Sequence, residues 1–253
     1  MAKRYGWLKN FYDRWGRASG GGELAYHYGY PAYGAFEPNV VLQYLFDEAS
    51  GNIVDEVAGI TLIPDTSPTY NVTASAPFAG LSPGITYART GTVRHKKNPS
   101  TDIVIGTSDF TIEIWFKTTA SGTGSNYIFY HYDGVGGGVS GFFNTTTNAW
   151  RWSVMADDLT TVSSNIALPA GYNDGNIHKI RAVFTRSGNS VSYMDGVSFG
   201  TVSIASLAGK TISLTALVFS GQVSASSLGF LGTLFEFRLS LNASNNSSGP
   251  NGG

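Results

Sequence analysis

The chain has 253 residues and a mass of 26.9 kDa, enough for one β-sandwich plus a terminal extension. Charged residues make up only 13%, apolar residues 42%, and 32 residues are glycine, so the chain is no disordered polyelectrolyte and can fill a core. A net charge of −1 argues against a chain-wide nucleic-acid binder, and the absence of cysteine excludes disulfides, thiolate metal sites and a cysteine nucleophile.

The N-terminal segment differs from everything after it. Lys3, Arg4, Lys9, Arg14 and Arg17 face a single acid, Asp13, within residues 1–17, and Leu8, Phe11, Tyr12 and Trp15 recur at helical spacing. No apolar run reaches the ~20 residues of a membrane helix, and the basic start has no apolar stretch of the kind a signal peptide needs, so the expectation is folding in the cytoplasm. Ser19 and Gly20–Gly22 end the helical pattern, and the tyrosine-rich run Tyr26–Tyr33 reads as extended. Residues 1–38 are therefore expected to be a docking arm, with Trp7, Leu8, Phe11, Tyr12, Arg14, Trp15, Tyr28 and Tyr30 as its partner-docking residues. The same composition suits an anionic membrane surface or a groove on a protein partner, and does not separate the two.

From Val40 the texture changes to short β-branched and aromatic runs between Gly, Ser, Asn and Asp clusters. Ile112/Ile114/Phe116, Ile128/Tyr130/Tyr132, Trp150/Trp152/Val154, Ile180/Ala182/Phe184 and Phe235/Phe237/Leu239 each repeat at a period of two. Turn chemistry separates them at Thr145–Asn148, at Ser187-Gly188-Asn189 and at Asp195-Gly196, the last a hairpin pair. The pattern predicts an all-β, two-sheet antiparallel jelly-roll sandwich over residues 39–241. Residues 242–253, Asn242 to Gly253, read as a loose tail.

Four strand texts then point to a family. Val41–Asn52 followed by Asp55, Asp109–Lys117, Asp174–Ile180 with Tyr193–Gly196, and Phe230–Arg238 resemble, in order, the signature strands of laminin-G-like, concanavalin A-like domains. Ile177 departs from that pattern, which has tryptophan before the histidine. The resemblance implies a jelly roll and no single function, since such domains serve as lectins, adhesion modules, hydrolases and virion parts.

Chemistry is sparse. None of Glu23, Glu37, Glu48, Glu56, Glu113 and Glu236 opens the closely spaced carboxylate motif of the β-glucanases with this fold. Glu113 and Glu236 read as outward-facing or structurally paired, and adjacent Asp157 and Asp158 point apart. The prediction is a non-enzyme, with a glucanase-like hydrolase as the second alternative. Asp47, Asp55, Asp133, Asp157, Asp158 and Asp174 sit in loops that could hold a structural calcium ion, but turns require aspartate anyway. No metal ligand and no cofactor is assigned. Tyr127, Tyr130, Tyr132, Trp150 and Trp152 offer faces on which a sugar could stack; Tyr130, Tyr132, Trp150 and Trp152 are the candidate glycan-binding residues. The run Arg94-His95-Lys96-Lys97 reads as a solvated basic loop.

A cysteine-free β-sandwich carrying a docking arm and no secretion signal resembles phage virion proteins. The leading expectation is a capsid decoration or tail-associated protein, with other virion subunits as partners and no nucleic acid. The first alternative is an exported carbohydrate-binding or adhesion module that meets host-surface glycans.

Overall fold

Strands form wherever apolar and polar residues alternate, because a period of two places one face against a core. A computed structural model describes residues 39–66, 68–70, 83–89, 93–97, 103–122, 124–131, 136–214, 216–222 and 229–242. The proposed arm, residues 1–38, and the tail beyond Asn242 lie outside these residues.

The strands in chain order begin with β1 (Val40–Tyr44), β2 (Ile53–Val54), β3 (Thr61–Pro64), β4 (Thr69–Tyr70), β5 (Ile85–Tyr87) and β6 (His95–Lys97). Next come β7 (Ile103–Gly106), β8 (Phe110–Lys117), β9 (Ser125–His131), β10 (Gly138–Asn144), β11 (Ala149–Met155), β12 (Thr161–Ser163) and β13 (Ile166–Ala167). The last are β14 (Ile177–Phe184), β15 (Asn189–Met194), β16 (Val197–Ser203), β17 (Ile212–Leu214), β18 (Leu217–Phe219) and β19 (Gly232–Leu241). One 3-10 turn, Ala205–Leu207, is the only helical element among the described residues.

Two antiparallel sheets make the sandwich. The eight-stranded sheet runs β16-β15-β14-β8-β19-β5-β4, with β1 also paired to β19. The nine-stranded sheet runs β12-β11-β10-β9-β18-β6-β3-β2, with β13 on β11. The last described strand, β19, is therefore central, with β8 on one side and both β1 and β5 on the other.

The core lies between the sheets. Ile180, Ile114 and Phe237 form one cross-strand row, and Ala182, Ile112 and Leu239 the next; all six are buried. Phe110 stacks on Phe184 with centroids 4.4 Å apart. Trp150, Trp152 and Val154 close the core from the facing sheet. Each such side chain contributes about 1.5–3 kcal/mol relative to exposure.

Asp195 and Gly196 both have positive φ, 50° and 85°, which the two-residue turn between β15 and β16 requires. The resembling motif around it acts as a clasp. Asp195 accepts the Lys179 backbone N–H at 2.7 Å and holds His178 Nδ1 at 2.7 Å, while Asp174 holds Nε2 at 3.1 Å. Burial opposes protonation of His178, but the two carboxylates outweigh it and raise its pKa. The clasp therefore adds stability below the imidazole's ordinary pKa and loses it as pH rises through the raised value.

Two expectations of strict alternation need correction. In β19 the pairing skips Phe235 between Leu234 and Glu236, so Phe235 turns away from the core and packs on Trp115. In β9 the register shifts opposite Gly141 and Phe142, so Ile128 and Phe129 both enter the core. Both are β-bulges, where one extra residue re-aims those beyond it.

Candidate functional site

The bulge in β9 builds a site on the outer face of the nine-stranded sheet. Without it, Tyr127 and Tyr130, three residues apart, would face opposite sides. With it, both point outward and their rings meet edge-on at 5.8 Å. Phe142, paired with Tyr127 across β10, stacks on it at 4.3 Å and 26°. Arg151, the next strand's partner of Phe142, sits 6.0 Å above that ring and donates from Nε to Asn165 Oδ1 at 3.0 Å.

A parallel row of hydroxyls lies beside this strip. Ser163 pairs with Ser153, Ser153 with Ser140, and Ser140 with Tyr130. Ser163 Oγ donates to Ser153 Oγ at 3.0 Å. Tyr127, Tyr130, Phe142, Ser140 and Ser153 line a shallow groove of about 250 Å³ together with Gly138, Met155 and Gln222, and Ser163 continues the row beyond it. Burial pushes the Tyr127 hydroxyl up in pKa, opposed by Gln222 and Arg151, so it stays a neutral donor and acceptor. No carboxylate or imidazole is among the groove's described lining residues.

Gly141 makes the arrangement possible from below. A Cβ there would lie 2.3 Å from the Phe129 ring and 2.7 Å from Trp150, so only glycine lets those rings cross under the groove.

Of the candidate glycan residues that are described, Tyr130, Trp150 and Trp152, the structure brings only Tyr130 to this site. Trp150 and Trp152 are corrected: each is 1% exposed, inside the core, and offers no face to a sugar. The period of two was right for β11, but the side with Trp150, Trp152 and Val154 faces inward, and the side with Arg151, Ser153 and Met155 faces out. Tyr132 lies outside the described residues, as do all the arm residues from Trp7 to Tyr30. Phe142, Ser140, Ser153 and Ser163 were missed. The adjacent apolar pair Ile128-Phe129 was a hint only, since such pairs also occur without a bulge, as at Val183-Phe184 in β14.

Other polar candidates have structural partners. Arg94-His95-Lys96-Lys97 is no loop: it enters β6, His95 is fully buried, and Arg94 and Lys96 pair with Asp65 at 2.6 and 2.8 Å. Asp55 accepts the backbone N–H groups of Gln43 and Ala58, and Asp157 those of Gly137 and Ser213. Asp158 instead pairs with Lys210, so the adjacent aspartates do diverge. Glu113 and Glu236 face outward on the eight-stranded sheet and share Arg238. Burial alone would raise the Glu113 pKa, but Lys179, Arg238 and Arg181 overcome it and hold the carboxylate ionised. No helix among the described residues is long and apolar enough to cross a membrane.

No known family pattern matches the chain, and no curated protein matches its sequence. Its fold does match solved structures. The botulinum neurotoxin serotype G binding domain aligns with a TM-score of 0.56 and 14% identity, over 79% of this chain and 47% of that one. The botulinum neurotoxin serotype D ligand binding domain in complex with N-acetylneuraminic acid gives 0.57 and 10%, over 80% and 47%. The neurotoxin DC binding domain in complex with rat synaptotagmin II gives 0.59 and 12%, over 80% and 48%. The chain spans about half the length of these structures, and at such identities what they share with it is the two-sheet β-sandwich.

Proposed function

We propose that this protein is a non-catalytic recognition module that binds a saccharide on the outer face of its nine-stranded sheet. The observation that carries this reading is the outward stack of Tyr127 and Phe142 beside the row Ser140, Ser153 and Ser163. A pyranose ring has an apolar C–H face and a rim of hydroxyls. It therefore needs a flat aromatic surface next to groups that both donate and accept hydrogen bonds. The groove, about 250 Å³, is smaller than a drug-sized site and suits one or two sugar units. Structures of similar fold bear names that include binding domains, one with N-acetylneuraminic acid and one with a protein, which supports recognition over bond breaking.

Screening the full-length protein on a glycan array identifies the ligand. Tyr127→Ala and Phe142→Ala should each weaken its binding about tenfold or more, since a central aromatic anchor contributes above 1 kcal/mol. Both substitutions should leave the circular dichroism spectrum unchanged. Retained affinity in the double variant would place the ligand elsewhere, and turnover of any bound polysaccharide would replace the reading with a hydrolase.

A finer proposal concerns where the module is displayed. The basic, aromatic segment with Trp7, Leu8, Phe11, Tyr12, Arg14 and Trp15 suits docking onto a virion subunit, where many copies would add avidity to a weak sugar site. Replacing Trp7, Phe11 and Trp15 by alanine should abolish occupancy on purified particles; unchanged occupancy rejects it.

A further inference from the structure

One cation stands at the corner of the groove with no counter-charge. Arg151 pairs with Phe142 across the β10–β11 ladder and precedes Ser153 by two residues on the same outward side of β11. It therefore sits where the aromatic strip and the serine row meet. Arg94 and Lys96 are matched by Asp65, Lys210 by Asp158, and Lys179, Arg181 and Arg238 by Glu113. Arg151 has no such acid among the described residues. Its one hydrogen bond there runs from Nε to Asn165 Oδ1, which leaves Nη1 and Nη2 without a partner.

We infer, resting on the reading that this groove binds a saccharide, that the ligand carries a carboxylate on its sugar ring, as uronic and ulosonic acids do, and that Arg151 holds it. The guanidinium is already aimed. The bond from Nε to Asn165 fixes its plane, and the Phe142 ring, 6.0 Å away, lies beneath it. With the Nε edge taken, the end of the fork remains, and two parallel N–H groups match the two oxygens of a carboxylate. A fork held in one plane also loses little freedom when it binds.

The electrostatics of the groove agree. Its described lining offers hydroxyls, aromatic rings and one amide, with no carboxylate to repel an anion or to occupy the arginine in its place. The field of the guanidinium also reaches the aromatic strip, since Arg151 opposes the rise that burial imposes on the Tyr127 hydroxyl. A pyranose beside Phe142, with its hydroxyl rim toward Ser140 and Ser153, brings a ring substituent to Arg151 at their corner. A neutral sugar in the same place leaves the cation facing water and gains nothing from it. Selectivity for the acid is that difference.

The test is binding of the full-length protein to glucuronate- and N-acetylneuraminate-bearing glycans, to their carboxyl-reduced forms and to sulphated neutral glycans. At low salt the acidic forms should bind about tenfold or more tighter than the reduced forms. Arg151→Gln should erase that ratio and leave the reduced forms at their own affinity, while Arg151→Lys, which keeps the charge without the fork, should retain only part of it. Asn165→Ala releases the guanidinium plane and should narrow the ratio at unchanged circular dichroism. Because a general loss of stability lowers both affinities alike, the ratio isolates the contact. Equal binding of acidic and reduced forms, or an unchanged ratio in Arg151→Gln, overturns the inference, as does binding confined to the sulphated glycans. After any of those results, loss of binding in Tyr127→Ala and Phe142→Ala still upholds the saccharide reading. Binding of no glycan rejects both.

Discussion

Trp152→Ala should lower the unfolding free energy by about 3–5 kcal/mol, the range for deleting a large buried aromatic. Trp152 is 1% exposed and meets Phe184 of the opposite sheet edge-on at 5.0 Å, so its removal opens a cavity across the layer that joins the two sheets. Against a typical total of about 5–15 kcal/mol, that is a large fraction of what holds the fold. Chemical denaturation of the parent and the variant measures it directly. Tyr130→Ala is the contrasting case. Its ring borders the groove, so it should cost far less stability and instead weaken saccharide binding. A Trp152→Ala protein of unchanged stability would mean that the ring lies outside the core.

The second large effect is on pH. His131 is fully buried against the rings of Phe129 and Phe237, and neither of its nitrogens finds a hydrogen-bond partner among the described residues. Burial drives its pKa from 6.5 down to about 3. His95, also buried, falls to about 4 for the same reason, although Tyr87 Oη lies 2.8 Å from its Nδ1 and Gly51 O 3.0 Å from its Nε2. A base with a depressed folded pKa is protonated first in the unfolded chain. Stability is therefore lost as pH falls below 6.5, down to the folded value, at up to about 1.4 kcal/mol per unit for each imidazole. Glu48 works the other way. Burial lifts its pKa to about 7, so it favours the folded state increasingly as pH falls from 7 towards 4.5. The two trends overlap, and a difference measurement separates them. His131→Phe keeps the aromatic packing and removes the titration, so its stability relative to the parent should rise by about 2 kcal/mol between pH 7 and pH 5. A pH-independent difference would show that His131 does not titrate on unfolding.

The layered architecture was readable because it depends on alternation, and rows such as Ile112/Ile114/Phe116 alternate without interruption. Asp195-Gly196 was readable because few other pairs adopt two positive φ angles in succession. Which side of β11 faces inward was not. Trp150 and Trp152 suit a sugar platform as well as a core, and only the facing sheet decides between them. The candidate site escaped for another reason. It depends on the β9 bulge, whose position follows from how Gly141 admits the Phe129 ring, a contact between strands that no period within one strand encodes.

The placement of β19 governs how this protein can be made. As the last strand described, Gly232–Leu241, it fills the slot between β8 and the pair β1 and β5. During synthesis, at roughly 5–20 residues per second, β8 therefore waits about 6–25 seconds and β1 about 10–40 seconds for their common neighbour. Through that interval the nascent chain displays two open hydrogen-bonding edges lined with core side chains, the form in which strands join the wrong molecule. Native pairing is long-range and late, so the chain's exposure to chaperones and to aggregation is set by how late β19 emerges. Ribosome stalling before residue 232 would leave the eight-stranded sheet divided, however complete the rest of the sandwich.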